Sequence, residues 1–321
     1  MTESELAQRL KSGDRRALAR AITLVESTRA EHRQSAEALM AELMPFAGGA
    51  HRVALTGVPG AGKSTLVDAL GAAALAGGAR VAVLAVDPAS SISSGSLLGD
   101  AVRMQRLAAS ERVFLRPSSN AGALGGTAPG TREAVLLCEA AGFDLVLIET
   151  VGVGQAEHAV RDACDTLLTL TLAGAGDEVQ GIKRGLLEVT DAVLVNKTDG
   201  PGEEAALAFA AELSAALDLL HRGNPPHVAA VSARTERGVA ELVEWLASRF
   251  TELRASGMLE ARRQEQQLRA FAASLSRELL QALRGDARVR ALEAEVASGA
   301  RLPTAAAREA VRSLLTSRDS S

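Results

Sequence analysis

One nine-residue stretch decides most of what this chain can become. The apolar run Arg52–Thr56 leads directly into Gly57-Val58-Pro59-Gly60-Ala61-Gly62-Lys63-Ser64-Thr65, and Leu66, Val67 and Leu70 follow at helical spacing. Strand, glycine-rich loop and helix in that order fit the pattern GxxxxGK[ST] of a phosphate-binding loop without a mismatch. The glycines let the backbone wrap phosphate oxygens with its N–H groups turned inward, and the helix N-terminus adds the positive end of its dipole. Lys63 supplies a compact positive charge to the β and γ phosphates, and Ser64 offers a hydroxyl to Mg²⁺. Gly57 through Thr65 are therefore the expected phosphate-contacting residues, on a chain committed to layered α/β structure.

The rest of the sequence agrees. Short β-branched runs at Arg52–Thr56, Arg80–Val86, Arg112–Leu115, Asp144–Thr150, Thr166–Leu172, Asp191–Val195 and His227–Val231 alternate with helical stretches. Most are apolar throughout, as strands buried on both faces are. The predicted fold is a doubly wound, mostly parallel α/β sheet of the P-loop GTPase kind. Residues 1–50 read as an N-terminal helical extension, with Leu6, Leu10, Leu18, Ile22 and Val25 near helical spacing, then Ala38, Leu39 and Leu43. Residues 51–250 form the GTPase domain. Residues 251–321 form a C-terminal helical arm, in which Leu268, Phe271, Leu275, Leu279 and Leu283 make one apolar stripe. Such a stripe packs on the α/β core or forms an interface, and its length favours dimerisation.

A second motif specifies the base. Asn196-Lys197-Thr198-Asp199 follows the run Asp191–Val195, and Ser232-Ala233 follows the run ending at Val231. Asp199 can accept hydrogen bonds from guanine N1–H and the 2-amino group together, and adenine has no such donor pair. A site built on these bonds can discriminate by roughly 10⁴-fold. Lys197 can lay its stem over the base, and Asn196 can brace the phosphate loop. Only four of the 35 basic residues are lysine, and three of them, Lys63, Lys183 and Lys197, sit inside motifs. A phosphate cradle followed by a guanine reader predicts a GTPase, with GTP/GDP and Mg²⁺ as ligands and ATP as the disfavoured alternative.

Mg²⁺ takes hard oxygen ligands, and carboxylates at the C-terminal ends of parallel strands face the phosphates. Asp87 and Glu149 end predicted strands and Asp100 follows Ser96-Leu97-Leu98-Gly99, although any one of them in isolation could be a helix cap or turn residue. With Ser64 they make the candidate metal set. Glu149 opens Glu149-Thr150-Val151-Gly152, in which the Gly152 N–H would contact the γ phosphate. The residue after Gly152 is Val153, and Gln155 comes two positions later. A water-orienting glutamine is thus missing from its usual place, and unassisted turnover should be slow.

Composition removes other classes. A formal charge of −4 offers no basic field for nucleic acid or anionic membrane, and 2% aromatics with no tyrosine offer no base-stacking surface. No apolar run approaches the ~18 residues that span a bilayer. The acidic, polar start is neither a signal nor a transit peptide, so a cytoplasmic location is expected. Cys138 and Cys164 form no CxxC pair or Cys/His cluster and read as buried thiols.

Beyond these motifs the chain carries Val86-Asp87-Pro88, Gly95-Ser96-Leu97-Leu98-Gly99-Asp100 with Arg103-Met104, Leu124-Gly125-Gly126, Glu149-Thr150-Val151-Gly152-Val153-Gly154-Gln155 and Gly176-Asp177-Glu178-Val179-Gln180-Gly181-Ile182-Lys183. From about residue 20 to 310 it resembles the MeaB/ArgK family of GTPases associated with methylmalonyl-CoA mutase. The resemblance implies a homodimeric GTPase chaperone of an adenosylcobalamin-dependent acyl-CoA mutase, gating cofactor loading and protecting the mutase from inactivation. It implies catalytic roles for Lys63, Asp87, Glu149 and Lys183, with Gly176–Lys183 as a partner-sensing switch; read alone, Lys183 is a solvated helix lysine. Ala89 stands where the family commonly has serine, and residues 118–121 vary a small-residue loop. Two other classes compete. A nickel-delivery GTPase would need clustered Cys or His, whereas Cys138, Cys164, His158, His221 and His227 are scattered. A kinase linked to amino-acid transport would need an acceptor pocket and a base.

Overall fold

Strand β1 (His51–Gly57) is buried at every position. That requires a strand on each side and a helical layer on each face. In the computed structural model, which describes residues 2–27, 29–86, 104–117, 130–150, 160–174, 184–221, 223, 225–284 and 286–316, both conditions hold. The other strands are β2 (Val81–Val86), β3 (Val113–Pro117), β4 (Leu145–Thr150), β5 (Thr166–Leu172), β6 (Ala192–Asn196) and β7 (His227–Ala230). They form one seven-stranded sheet in the order β3-β2-β4-β1-β5-β6-β7, with every pairing parallel. All seven expected strands are present, and β1 lies where the order diverges, with β4 and β5 as its neighbours.

Alternation along the strands sorts side chains to two faces. Val53, Leu55, Val81, Val83, Leu147, Leu168 and Leu170 share one buried cluster. It includes Leu66, Val67 and Leu70 from α4 (Lys63–Ala76) and Leu242 and Leu246 from α9 (Val239–Ala255). Ala54, Ala82, Leu84, Val146, Ile148 and Leu167 belong to a second cluster, with α6 (Thr131–Ala140) and the N-terminal helices α1 (Glu3–Lys11), α2 (Arg15–Val25) and α3 (Ala30–Leu43). The N-terminal helices thus complete one face of the sheet core, with Leu10, Leu18, Ile22, Leu39 and Leu43 fully buried. Their ends are set locally. Thr2 and Glu5 form a reciprocal capping box on α1, and Asp14 caps α2 by accepting from the N–H groups of Arg16 and Ala17. Arg15 donates to Val113 O at 2.8 Å, tying α2 to β3. The short α5 (Gln105–Ala108) and α7 (Arg184–Val189) follow segments outside the described residues. Helix α8 (Glu203–Leu220) covers Val193 and Val195, and Trp245 stacks on His227 at the β7 edge with ring centroids 4.8 Å apart.

At the other end of β1, Arg52 donates through Nε and Nη2 to the two carboxylate oxygens of Glu139, at 2.9 and 2.8 Å, and the Gly48 N–H donates to the same carboxylate. Both side chains are nearly enclosed. Cys138, beside Glu139, and Cys164 are buried, and burial pushes the Cys164 thiol up to about 12 and the Cys138 thiol further in the same direction.

Residues 1–260 form one compact unit and residues 261–321 a second. The second contains most of α10 (Met258–Arg284), then α11 (Ala287–Ala297) and α12 (Pro303–Thr316). Its small core joins Leu292, Ala306 and Ala310 with Leu283, Val289 and Val296. Of the expected apolar stripe, Leu283 is taken into that core, while Leu268, Phe271, Leu275 and Leu279 remain 43–67% exposed. No described helix is long and apolar enough to cross a membrane.

Replacing Glu139 by Ala would leave the Arg52 guanidinium buried without its carboxylate. The expected loss of stability is about 3–5 kcal/mol, measured by urea denaturation. A loss below ~1 kcal/mol would show that water reaches Arg52 readily.

Candidate active site: a phosphate loop joined to a base-reading turn

The phosphate loop begins at the C-terminal end of β1, where Gly57 still pairs with Leu170 of β5. Gly57 has φ +145°, and a Cβ there would stand 2.2 Å from Leu170 O on β5, so only glycine lets β1 pass so close to its neighbour. Gly62 has φ +93°, and a Cβ there would meet the Asn196 amide nitrogen at 2.7 Å. Helix α4 starts at Lys63 with Gly62 as its N-cap and no side-chain cap. Its first-turn N–H groups are therefore left to an external acceptor such as a phosphate oxygen.

Lys63 curls over this loop. Its Nζ donates to Gly57 O at 3.0 Å and Val58 O at 3.2 Å. Partial burial lowers its pKa, and the nearby Glu149 charge opposes that shift. Ser64 Oγ donates to Glu149 Oε1 at 2.6 Å. Register explains why they meet: Glu149 pairs with Leu55 of β1 and Ala85 of β2 at the C-terminal end of the sheet, directly under the start of α4. Glu149 is buried. A hydroxyl and a carboxylate converging on one spot is a hard-oxygen donor set that fits Mg²⁺. The remaining expected members, Asp87 and Asp100, lie outside the described residues, as do Gly152, Val153, Gln155 and Lys183.

The base-reading turn is knitted from two strand ends. Asn196 closes β6, and Lys197 takes φ +61°, an uncommon conformation for a residue with a Cβ. The Thr198 N–H donates to Val231 O at 3.2 Å. Ser232 Oγ donates to Asp199 Oδ1 at 2.6 Å while accepting from the Thr235 N–H at 3.1 Å. Arg234 Nη2 donates to Asp199 Oδ2. The Ser232 hydrogen bond, then the Arg234 donor and charge, hold the Asp199 carboxyl below the usual carboxylate range. Asp199 is thus ionised and poised as a pure acceptor.

Asn196 joins the two halves. Its amide Nδ2 donates to Ala61 O in the phosphate loop at 2.6 Å, and its Oδ1 accepts from the Ala233 N–H at 3.0 Å. One buried side chain therefore spans loop and turn, the bracing that its place in the motif predicts.

Two contacts were not legible in the sequence. Arg234 follows directly on Ser232-Ala233, and its position in the chain is the only signal for its pairing with Asp199. Arg106 reaches both Glu236, itself at φ +63°, and Asp68 of α4, at 4.0 Å from the latter. No sequence pattern announces that junction. Among the described residues no group of three His, Cys, Asp or Glu side chains is placed to hold a metal ion.

A family model described as methylmalonyl Co-A mutase-associated GTPase MeaB matches residues 18–288. A probable GTPase of Mycobacterium tuberculosis is 51% identical over 270 residues, covering 83% of this chain and 80% of that protein. GTPase ArgK of Escherichia coli is 43% identical over 268 residues, covering 83% and 81%. The mouse protein called methylmalonic aciduria type A homolog, mitochondrial, is 43% identical over 270 residues, covering 80% of this chain and 65% of its own length. A crystal structure titled LAO/AO transport system kinase superposes with a TM-score of 0.75 at 33% identity, covering 98% and 97% of the two chains.

Asn196→Ala would leave Ala61 O and the Ala233 N–H without their shared partner, a cost of about 1–3 kcal/mol. Because both groups belong to the segments expected to contact the nucleotide, the expected readout is a roughly tenfold or greater loss of GDP affinity in a fluorescence titration. Unchanged affinity would mean that loop and turn hold their positions independently.

Proposed function

The chain belongs to the MeaB family of methylmalonyl-CoA mutase-associated GTPases, and on that premise we propose that it hydrolyses GTP as a chaperone of an adenosylcobalamin-dependent acyl-CoA mutase. In this role it gates cofactor loading and protects the mutase from inactivation. The observation that carries the nucleotide part is the Asn196 bridge, which sets a phosphate loop and a guanine-type reader on one sheet end. The partner rests on the family description and on the name of the mouse relative.

The chain's own residues divide the work. Loop N–H groups and the start of α4 cradle the phosphates, and Lys63 exchanges its loop carbonyls for phosphate oxygens, neutralising charge on the transferred group. Ser64 and Glu149, with Asp87 and Asp100, would hold Mg²⁺. Bound there, the ion supplies positive charge to the phosphate oxygens. Asp199 selects guanine, Ser232 fixes that carboxylate, and the Ala233 N–H holds the Asn196 carboxamide in place. Lys197 covers the base. Gly152 senses the γ phosphate. With Val153 at the usual glutamine position, basal turnover is slow, and Lys183 is the group a docked mutase orders against the developing charge.

The C-terminal unit supports a homodimer. Leu268, Phe271, Leu275 and Leu279 line one stretch of α10 and are exposed among the described residues. A chain ending near residue 255 should run as a monomer in light scattering. If it stays fully dimeric, the interface lies elsewhere.

Turnover of [γ-³²P]GTP tests the reading. Label should appear as free phosphate rather than on protein, ATP should not substitute for GTP, and added mutase should accelerate release. An arginine finger in such a role is worth roughly 10³–10⁵, and Lys183→Ala should remove part of the stimulated rate while sparing the basal one. Label transferred to protein would instead favour a kinase, the activity for which the structurally similar LAO/AO transport system kinase is named. Equal use of ATP and GTP would overturn the nucleotide assignment, and equal slowing of basal and stimulated rates would overturn the role of Lys183.

A further inference from the structure

The expected reader carboxylate is held by two side chains that follow the strand beside it, Ser232 and Arg234. Asp199 is largely enclosed, with 15% of its side chain exposed, and an enclosed carboxylate without donors is costly. Ser232 Oγ satisfies one oxygen. The other is satisfied by the guanidinium of Arg234, a side chain that is itself 76% exposed and whose ion-pair partner among the described residues is Asp199. The chemical likeness is close. Guanine's N1, C2 and 2-amino nitrogen are part of a cyclic guanidine, and an arginine side chain ends in an acyclic one. Both present N–H donors in a planar fork suited to a carboxylate.

We propose that Arg234 is a tethered surrogate for the guanine edge, pairing with Asp199 in the nucleotide-free protein and yielding that carboxylate when guanine binds. The proposal rests on the guanine-reading role given to Asp199 above. Geometry makes the exchange easy. Arg234 lies two residues beyond Ser232, so its backbone stays in place while side-chain rotation clears the carboxylate. Its outer side faces solvent, where a released guanidinium is well hydrated. A pair so exposed on one side contributes little, which keeps the competitor weak enough to displace. The neighbouring Arg237 provides an internal contrast. It sits on the same turn and carries the same charge, but its partner is Glu203 on α8 and not Asp199.

Two consequences separate this arrangement from a general electrostatic effect. An arginine beside an anionic ligand attracts it, so deleting one ordinarily weakens binding. Deleting a surrogate does the opposite, because the fraction of protein with a free carboxylate rises and apparent affinity scales with that fraction. Further, the competition takes place at the base, so GDP and GTP must be affected by the same factor. The change must also appear in the association rate, since once guanine is bound Arg234 no longer occupies the carboxylate.

The test is stopped-flow and equilibrium binding of fluorescent GDP and a non-hydrolysable GTP analogue to the full chain, comparing parent, Arg234→Ala, Arg234→Gln and Arg237→Ala. The expected result is that both Arg234 variants bind the two nucleotides about two- to fivefold more tightly, through faster association, the range set by an exposed ion pair. Arg237→Ala should match the parent or bind more weakly. Arg234→Gln keeps a shorter, uncharged polar side chain and guards against a folding defect in the alanine variant. Weaker or unchanged binding in both Arg234 variants overturns the surrogate, as does tightening confined to one nucleotide or shared by Arg237→Ala. A parent that binds no guanine nucleotide would overturn the functional reading itself, whereas normal parent binding with an unresponsive Arg234 overturns only this inference.

Discussion

A single carboxamide holds the site in register. Asn196 contributes its N–H to the phosphate loop and its oxygen to the base turn, and each bond is buried. Everything that must act together on one nucleotide hangs from that connection. The loop's shape depends on Gly62, whose missing Cβ leaves room for the Asn196 amide. The turn depends on the Ala233 N–H being fixed, which in turn places Ser232 against Asp199. An aspartate at position 196 could accept from Ala233 but could not donate to Ala61, and a lysine could do only the reverse.

Around that bridge the sheet acts as a positioning frame. Parallel pairing puts every strand's C-terminal end on one edge, and the register of β4 between β1 and β2 brings Glu149 beneath Ser64. The N-terminal helices pack their apolar residues into the core on one face of the sheet. The opposite, N-terminal end of β1 is tied down by the buried pair Arg52 and Glu139.

Much of this was legible before any coordinates. Strands buried on both faces, such as β1 and β6, announce themselves as mostly apolar runs, whereas the edge strand β7 is only partly buried and was marked by its own short run His227–Val231. The phosphate loop and the Asn196–Asp199 motif were legible because their chemistry requires particular residues at fixed spacing. The stripe on α10 was legible as a helix face, but not that Leu283 would leave it for the core formed with α11 and α12. Periodicity reports which residues share a face and says nothing of what covers it. Arg234 and Arg106 were illegible for a related reason. Long exposed arginines choose partners by three-dimensional proximity, and 31 arginines with 39 acidic residues permit far more pairings than exist.

The two thiols have a practical corollary. Cys138 and Cys164 are the chain's only cysteines, both are shut within the first unit, and both are held in the unreactive protonated form. Alkylating reagents can therefore reach sulfur only when that core opens. The rate of thiol modification in native buffer becomes a clock for the breathing of the α/β layer, and any cysteine introduced on the surface will carry a dye or spin label without competition from the native pair.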